Sequence, residues 1–203
     1  MQRTNVCKFA VLAALAFAVV LLITPKTALG QDVPFQVSYF SNSTVTGAPD
    51  ATLRLVNDGA GGDASPGGDI CAAIYVFSFD EQLQECCSCK ITPNGLLTLS
   101  VNNNLVANQL SRGPFHRGVI KTVSTAPVGG TCNAGSWTIK LGLHGWTTHI
   151  QHVTASTYSI TEEENADATL SAAEAADLQE DCLVNVIDNG SGYGVCDCTD
   201  RSL

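Results

Sequence analysis

The stretch CAAIYVFSFDEQLQECCSCKITPNGLLTLSV, residues Cys71–Val101, decides the fold of this chain. Ile70–Phe79 is an uncharged apolar run, and its aromatic and β-branched residues favour a buried strand over a helix. Asp80-Glu81 interrupts the run and indicates a tight reversal. We therefore expect Gln82–Ile91 to pair back along the first strand.

A second turn is indicated at Pro93-Asn94-Gly95, because proline presets the first central φ and Asn-Gly tolerates the positive φ that follows. Leu96–Val101 is then a third strand. Outside this stretch, short strand patterns alternate with Gly-, Pro- and Asn-rich connections. The predicted strands there are Val33–Phe40, Ala51–Asn57, Val119–Ser124, parts of Trp137–Val153, Thr157–Thr161 and Val184–Ile187.

One helix is marked by a capping box, with Ser171 as the N-cap and Glu174 three residues later. The alanine-rich sequence that follows predicts a helix at about 171–182, with Leu178 and Cys182 on its buried face. Many short strands and one helix in the C-terminal half predict a mainly β fold. We expect an antiparallel β-sandwich stapled by disulfides.

The first thirty residues have the features of a cleaved signal peptide. Arg3 and Lys8 precede the apolar run Phe9–Ile23, and Ala28-Leu29-Gly30 supplies the small residues that favour cleavage before Gln31. A retained membrane anchor is the alternative, but the apolar run is shorter than the roughly 20 residues that span a bilayer. The sequence therefore predicts a signal peptide at 1–30 and a single secreted domain at 31–203, extracellular or periplasmic.

The predicted mature chain is strongly acidic. Removal of residues 1–30 leaves seven basic residues against all nineteen acidic ones, a net charge of −12. Such a charge disfavours binding to nucleic acid or to an anionic membrane surface. We therefore expect no nucleic-acid partner and no membrane contact after signal removal.

Eight cysteines remain after Cys7 is removed, and an even number in an exported chain indicates disulfides. The two tight motifs, CCxC at 86–89 and CxC at 196–198, are too compact for internal bridging, so they are expected to bond to other parts of the chain. A bridge between the two motifs would close a loop of about a hundred residues, which the chain-entropy model values at about 4–5 kcal/mol. The pairing itself stays open; the predicted disulfide cysteines are Cys71, Cys86, Cys87, Cys89, Cys132, Cys182, Cys196 and Cys198.

The same motifs carry an alternative interpretation. If their thiols are free, clustered thiolates bind soft cations such as zinc or copper. The candidate metal ligands are Cys86, Cys87, Cys89, Cys196 and Cys198.

Catalytic motifs have little support. The Gly190-Ser191-Gly192 segment has the wrong spacing for a nucleophile elbow and indicates a turn. His149 and His152 would point to opposite faces of a strand, which disfavours a shared metal. Glu162-Glu163-Glu164 and Asp167 form an acidic run that is expected to be a solvated loop, although a glycosidase carboxylate pair is the competing interpretation. We assign no catalytic and no cofactor-binding residue.

Five stretches of this chain, taken together, resemble a group of uncharacterised, cysteine-rich secreted bacterial proteins. They are CAAIYVFSFDEQLQECCSC, TPNGLLTLSVNNNL, WTTHIQ, ATLSAAEAADLQEDC and NGSGYGVCDC. The resemblance implies one exported domain with paired cysteines. It implies no activity, cofactor or catalytic residue.

The sequence favours a non-enzymatic extracellular or cell-surface protein that acts in structure, adhesion or assembly. Its expected partner is a protein or polysaccharide surface, or a second copy of the chain. A metal-binding module built on the clustered cysteines and a secreted hydrolase acting on polysaccharide are the two alternatives. A long free strand edge or an exposed apolar patch would favour assembly.

Overall fold

The structure, a computed structural model, describes residues 33–62, 67–106, 116–188 and 195–199. The predicted signal peptide and the predicted turn at 190–192 lie outside these ranges. No helix within them has the length and apolar character needed to span a bilayer.

The fold is mainly β, as predicted. The nine strands are Phe35–Ser41 (β1), Thr52–Asn57 (β2), Ile70–Ser78 (β3), Leu83–Ile91 (β4), Leu96–Ser100 (β5), Arg117–Thr125 (β6), Leu143–Thr154 (β7), Thr157–Glu164 (β8) and Ala166–Asp167 (β9). The described helical elements are one α-helix, Ala172–Glu180 (α1), and two π-helical segments, Val101–Leu105 (π1) and Asp181–Asp188 (π2).

The central stretch forms the three predicted strands β3, β4 and β5. β3 and β4 are antiparallel neighbours joined by a reversal in which Glu81 has a φ of 68°. The second turn places Asn94 at a φ of 58°, and Gly95 N–H donates to the Thr92 carbonyl over 2.9 Å. Both reversals therefore lie where the sequence indicated, and the second has the positive φ that was expected of Asn-Gly.

The predicted two-sheet sandwich is wrong. The strands form one nine-stranded sheet in the order β4-β3-β6-β1-β7-β2-β5, with β8 added to β7 and β9 added to β1. The two halves are joined because β1 pairs along its length with β6 and also pairs with β7 at Ser41 and His149. The sheet curls until it is nearly closed, like a barrel.

The larger core fills the inside of the curled sheet. Alternate residues of β3 point inward, and they meet the inward side chains of β1, β2 and β5 from the opposite wall. The fully buried side chains of this core include Phe40, Leu53, Leu55, Ile70, Ile74, Leu99, Ile120 and Leu143.

A second core covers the outer face of β1, β6, β3 and β4. Helix α1 and the 126–140 connection lie over it, and its buried members include Phe35, Tyr75, Val123 and Leu178. Tyr75 Oη donates to the Ala134 carbonyl over 2.6 Å, and Trp137 Nε1 donates to Tyr75 Oη, also over 2.6 Å. Burial raises the pKa of the Tyr75 hydroxyl well above its usual value, and the Trp137 hydrogen bond acts in the opposite direction.

Replacement of Tyr75 by phenylalanine should lower the free energy of unfolding by about 1 kcal/mol. The loss stays small because Trp137 Nε1 also donates to the Ala134 carbonyl over 3.1 Å, so neither group is left without a partner. Urea unfolding checks this, with the exposed Tyr158→Phe as the matched control. A loss above about 3 kcal/mol would show that the hydroxyl holds the connection in place by more than these bonds.

Helix α1 begins as predicted, since Ser171 is the N-cap and its Oγ accepts from Glu174 N–H over 3.0 Å. The Glu174 carboxylate does not complete the capping box and instead accepts from Lys121 Nζ over 2.6 Å. Leu178 and Cys182 are buried against the sheet, as expected. The helix therefore packs on the sheet through Leu178 and an ion pair, and Cys182, just beyond its end in π2, bonds to Cys86 of β4.

Three local predictions are wrong. Val184–Ile187 is not a strand, because π2 continues directly from α1 through this segment. Glu162-Glu163-Glu164 is not a loop but the end of β8, where it pairs with Thr148, Thr147 and Trp146 of β7. The alternation of Phe35, Val37 and Tyr39 in the sequence predicts one buried face for β1. That face is not formed, since Phe35 and Phe40 are both buried while Tyr39 is 43% exposed.

Candidate functional site

The cysteine side chains of β4 point to the two opposite faces of the sheet. Cys87 and Cys89 belong to the inner core, and Cys86 belongs to the outer core beside Leu178. This follows from the alternation of side chains along a strand. One strand can therefore bond both to the covering helix and to the interior.

All eight cysteines of the predicted mature chain are paired in the structure. The disulfides are Cys71–Cys132, Cys86–Cys182, Cys87–Cys196 and Cys89–Cys198. Two of them join the CCxC and CxC motifs. Disulfides of this number are consistent with an oxidising compartment.

The C-terminal segment 195–199 lies between β4 and π1. Cys196 N–H donates to the Cys86 carbonyl over 3.2 Å, and Asp197 N–H donates to the Asn104 carbonyl over 3.0 Å. The buried Asn104 amide adds bonds from Nδ2 to the carbonyls of Asp197 and Thr199, over 3.0 and 3.1 Å. The segment thus fills the gap that the sheet leaves at its β4 end.

The disulfides Cys87–Cys196 and Cys89–Cys198 join the same two segments and bring their sulfurs together. Cys87 Sγ and Cys89 Sγ lie 3.7 Å apart, and with Cys198 Sγ they fall within 4.8 Å of one another. A cavity of about 260 Å³ lies beside them and is lined by Cys87, Cys198, Cys196 and Asn133. Soft-metal binding requires thiolates, so these sulfurs can coordinate an ion only after reduction.

The hairpin of β7 and β8 is the most exposed part of the sheet. From Gln151 through Tyr158 every side chain is exposed, on both faces of the hairpin. Three large apolar side chains are among the exposed ones: Val153 (60%), Tyr158 (38%) and Ile160 (51%). Tyr158 and Ile160 lie two residues apart on the same face of β8, and neighbouring exposed apolar side chains mark a contact surface more often than singly scattered ones do.

Strand β8 also has a free edge. Its eight residues pair with β7 on one side, and no described strand pairs with its other side. An open edge presents unpaired backbone donors and acceptors that a further strand can satisfy. This edge is the long free strand edge that the assembly hypothesis requires.

The acidic run gives β8 an asymmetric charge. Glu162, Glu163 and Glu164 occupy its C-terminal end, while Thr157–Thr161 is uncharged. Glu162 forms an ion pair with Arg54 of β2. No described carboxylate lines the cavity of about 250 Å³ beside Val128 or the cavity of about 260 Å³ beside Cys196.

The histidines do not gather at one place. His149 is buried and stacks on Tyr39 with ring centroids 3.9 Å apart, whereas His152 is exposed opposite Tyr158. His144 lies 3.3 Å from an Asp58 carboxylate oxygen. Burial lowers the pKa of His149 from its ordinary value of 6.5, and the nearby negative charge of Glu163 acts in the opposite direction.

The lowered pKa of His149 predicts a pH-dependent stability. Below about pH 6.5 the unfolded chain takes up a proton that the folded chain resists, so stability should fall as the pH drops from about 6.5 towards 5. His149→Gln should remove this part of the slope, and the exposed His152→Gln should keep it. Urea unfolding at several pH values measures both. Equal slopes in all three proteins would contradict the assignment.

The sequence predicts that the eight cysteines form disulfides, but it does not predict the free edge of β8. Three consecutive glutamates favour a loop, so the predicted strand ends at Thr161 and its pairing through Glu162–Glu164 with β7 is not predicted.

Comparison of the chain with protein-family models, with curated proteins and with solved structures found no match.

Proposed function

We propose that this chain is a secreted, extracellular or periplasmic, non-enzymatic protein that acts through surface contact, in structure, adhesion or assembly. The free edge of β8, with the exposed apolar residues of its hairpin, carries this proposal. The partner is a protein or polysaccharide surface, or a second copy. We also propose that the chain belongs with the cysteine-rich secreted bacterial proteins that it resembles.

The disulfides support such a role. Three of the four bonds tie β4 to segments about a hundred residues away in sequence, with separations of 96, 109 and 109 residues. Long closed loops restrict the unfolded chain most strongly. A domain held in this way suits an exposed location, where proteases attack transiently opened chains.

The proposal is tested by binding of the labelled chain, residues 31–203, to intact cells of the organism that produces it. We expect saturable binding that the triple variant V153K/Y158K/I160K weakens roughly tenfold or more, since it removes the apolar contact area. Val128→Lys is the control, because Val128 is 67% exposed but lies in the 126–140 connection. Equal binding of the triple variant and the wild type would overturn the role of the hairpin.

Metal binding by the clustered cysteines is the second candidate function. The convergence of Cys87, Cys89 and Cys198 within 4.8 Å favours it, and their disulfides make prior reduction a requirement. Zinc titration of the reduced and the unreduced chain separates the two functions. Tight binding of one zinc by the unreduced, freshly secreted protein would favour the metal-binding module.

A hydrolase acting on polysaccharide has less support. Its carboxylates would come from the acidic run, which lies on an exposed strand, and Glu162 is already paired with Arg54. Release of reducing sugar from a polysaccharide by the wild type, lost in E162Q/E163Q/E164Q, would overturn the non-enzymatic proposal.

A further inference from the structure

We propose that the free edge of β8 pairs antiparallel with β8 of a second copy, which extends the sheet across a two-fold axis. This inference rests on the proposed function and names one partner for the same edge. It is carried by the free edge, by the exposed apolar side chains and by the distribution of charge along the strand.

The face of the strand restricts how two copies can pair. Tyr158, Ile160 and Glu162 lie on the face that carries Arg54, as the Arg54–Glu162 ion pair shows. In an antiparallel pair, directly opposed residues point to the same face. A two-fold axis perpendicular to the sheet therefore pairs even-numbered residues with even-numbered ones.

Two registers within this restriction keep seven residues of each copy paired. In the first, Ile160 lies opposite Ile160 of the second copy, and Tyr158 lies opposite Glu162. In the second, Thr161 lies at the centre and both apolar residues face glutamates. Only the first register buries the two half-exposed isoleucines against each other, so it is the one that burial of apolar surface selects.

The charges agree with the first register. Each acidic C-terminal end lies beside the uncharged N-terminal half of the other strand, with Glu163 opposite Thr157 and no glutamate opposite another. A parallel arrangement would instead place the glutamates of the two copies side by side, where like charges destabilise a sheet. The charge asymmetry of β8 therefore selects antiparallel pairing.

The net charge of the chain sets the salt dependence. Two chains of net charge −9, or −12 after signal removal, repel each other at long range. Added salt screens this repulsion, with a Debye length of about 8 Å at 0.15 M. The dimer should therefore tighten as the salt concentration rises, unlike an association held by ion pairs.

Sedimentation analysis of the 31–203 chain, from micromolar to millimolar concentration, tests the proposal. We expect a monomer–dimer equilibrium whose dissociation constant rises roughly tenfold or more in Ile160→Lys, which removes two apolar side chains and opposes two ammonium groups. Val128→Lys is the control: Val128 is 67% exposed, but it lies in the 126–140 connection and not in the β7–β8 hairpin. A strictly monomeric wild type, or a dimer that Ile160→Lys leaves intact, would overturn the proposal.

A second variant tests the register. Cβ atoms of directly opposed residues lie about 4.5–5.5 Å apart, close to the range that a disulfide bridges. Ile160→Cys should therefore form a covalent dimer on mild oxidation, and Val128→Cys, in the 126–140 connection, should not. Equal cross-linking of the two variants would contradict the register. A monomeric protein that still binds cells through the hairpin would remove the self-pairing but leave the proposed function standing.

Discussion

A graded loss of stability is expected when the β4 disulfides are removed one after another. Replacing Cys87 and Cys196 by alanine should cost only about 1–2 kcal/mol, mainly from lost packing, because Cys89–Cys198 closes the same loop of 109 residues. Removing both bonds should cost about 3 kcal/mol more in chain entropy. That value applies to an effective loop of about 15 residues, since Cys86–Cys182 still ties β4 to the start of π2.

Removal of all three β4 disulfides has the largest expected effect. The loop of 96 residues closed by Cys86–Cys182 then opens as well, and the chain-entropy model values it at about 4.7 kcal/mol. The two chain-entropy contributions alone add up to about 8 kcal/mol, which is comparable with the whole stability of an ordinary domain, so this variant should not fold. Urea unfolding measures the series.

Two results would contradict this arrangement. If loss of the Cys87–Cys196 pair alone cost as much as loss of both bonds, the two disulfides would not close the same loop. If the variant lacking three disulfides unfolded at the wild-type urea midpoint, the bonds would add nothing to stability. Either result would remove the argument that these bonds hold the C-terminal segment against the sheet.

Phe40→Ala should lower the free energy of unfolding by about 3–5 kcal/mol. Phe40 is fully buried in the inner core, on the strand that joins the two halves of the sheet. Its ring covers Gly118 of β6, where a Cβ would lie 2.5 Å from the ring and 2.2 Å from the Phe77 carbonyl oxygen. The neighbouring backbone therefore has little freedom to fill the space that the ring leaves.

The matched control is Phe79→Ala, the same change at a side chain that is 62% exposed. It should cost less than about 1 kcal/mol, because its main contact is the exposed guanidinium of Arg117 at 5.4 Å from the ring centre. Urea unfolding with an unchanged m-value checks both variants. Similar losses at the two positions would show that Phe40 does not pack in the core as described.

The sequence predicts the parts of this fold that depend on neighbouring residues. The turns at Glu81 and Asn94 and the N-cap at Ser171 follow from local backbone chemistry, and each is present. The pairing of β3 with β4 follows because a tight reversal leaves no other partner for the second strand. These interactions join residues that are close in sequence.

The errors arise where distant segments decide the structure. The single sheet depends on the pairing of Ser41 with His149, which no local pattern encodes. Val184–Ile187 has strand propensity but continues the helical path behind Cys182, whose disulfide to Cys86 anchors it. Glu162 lies in a strand because β7 and Arg54 hold it there, against its own weak β propensity.

The candidate site was predicted in part for the same reason. The spacing of the cysteines indicated bonds between the two motifs, and two such bonds are present. The free edge of β8 could not be predicted, because it depends on which strands lie beside it after folding. The choice between a contact protein and a thiolate metal centre depends on whether the clustered cysteines are in disulfides or are free thiols.

The most direct test is the intact mass of the purified 31–203 chain after alkylation under denaturing conditions without reductant. We expect no added alkyl group, because all eight cysteines of residues 31–203 are in disulfides. Addition of four groups at Cys87, Cys89, Cys196 and Cys198 would contradict it. The convergent sulfurs would then be thiols, and metal binding would replace surface contact as the favoured function.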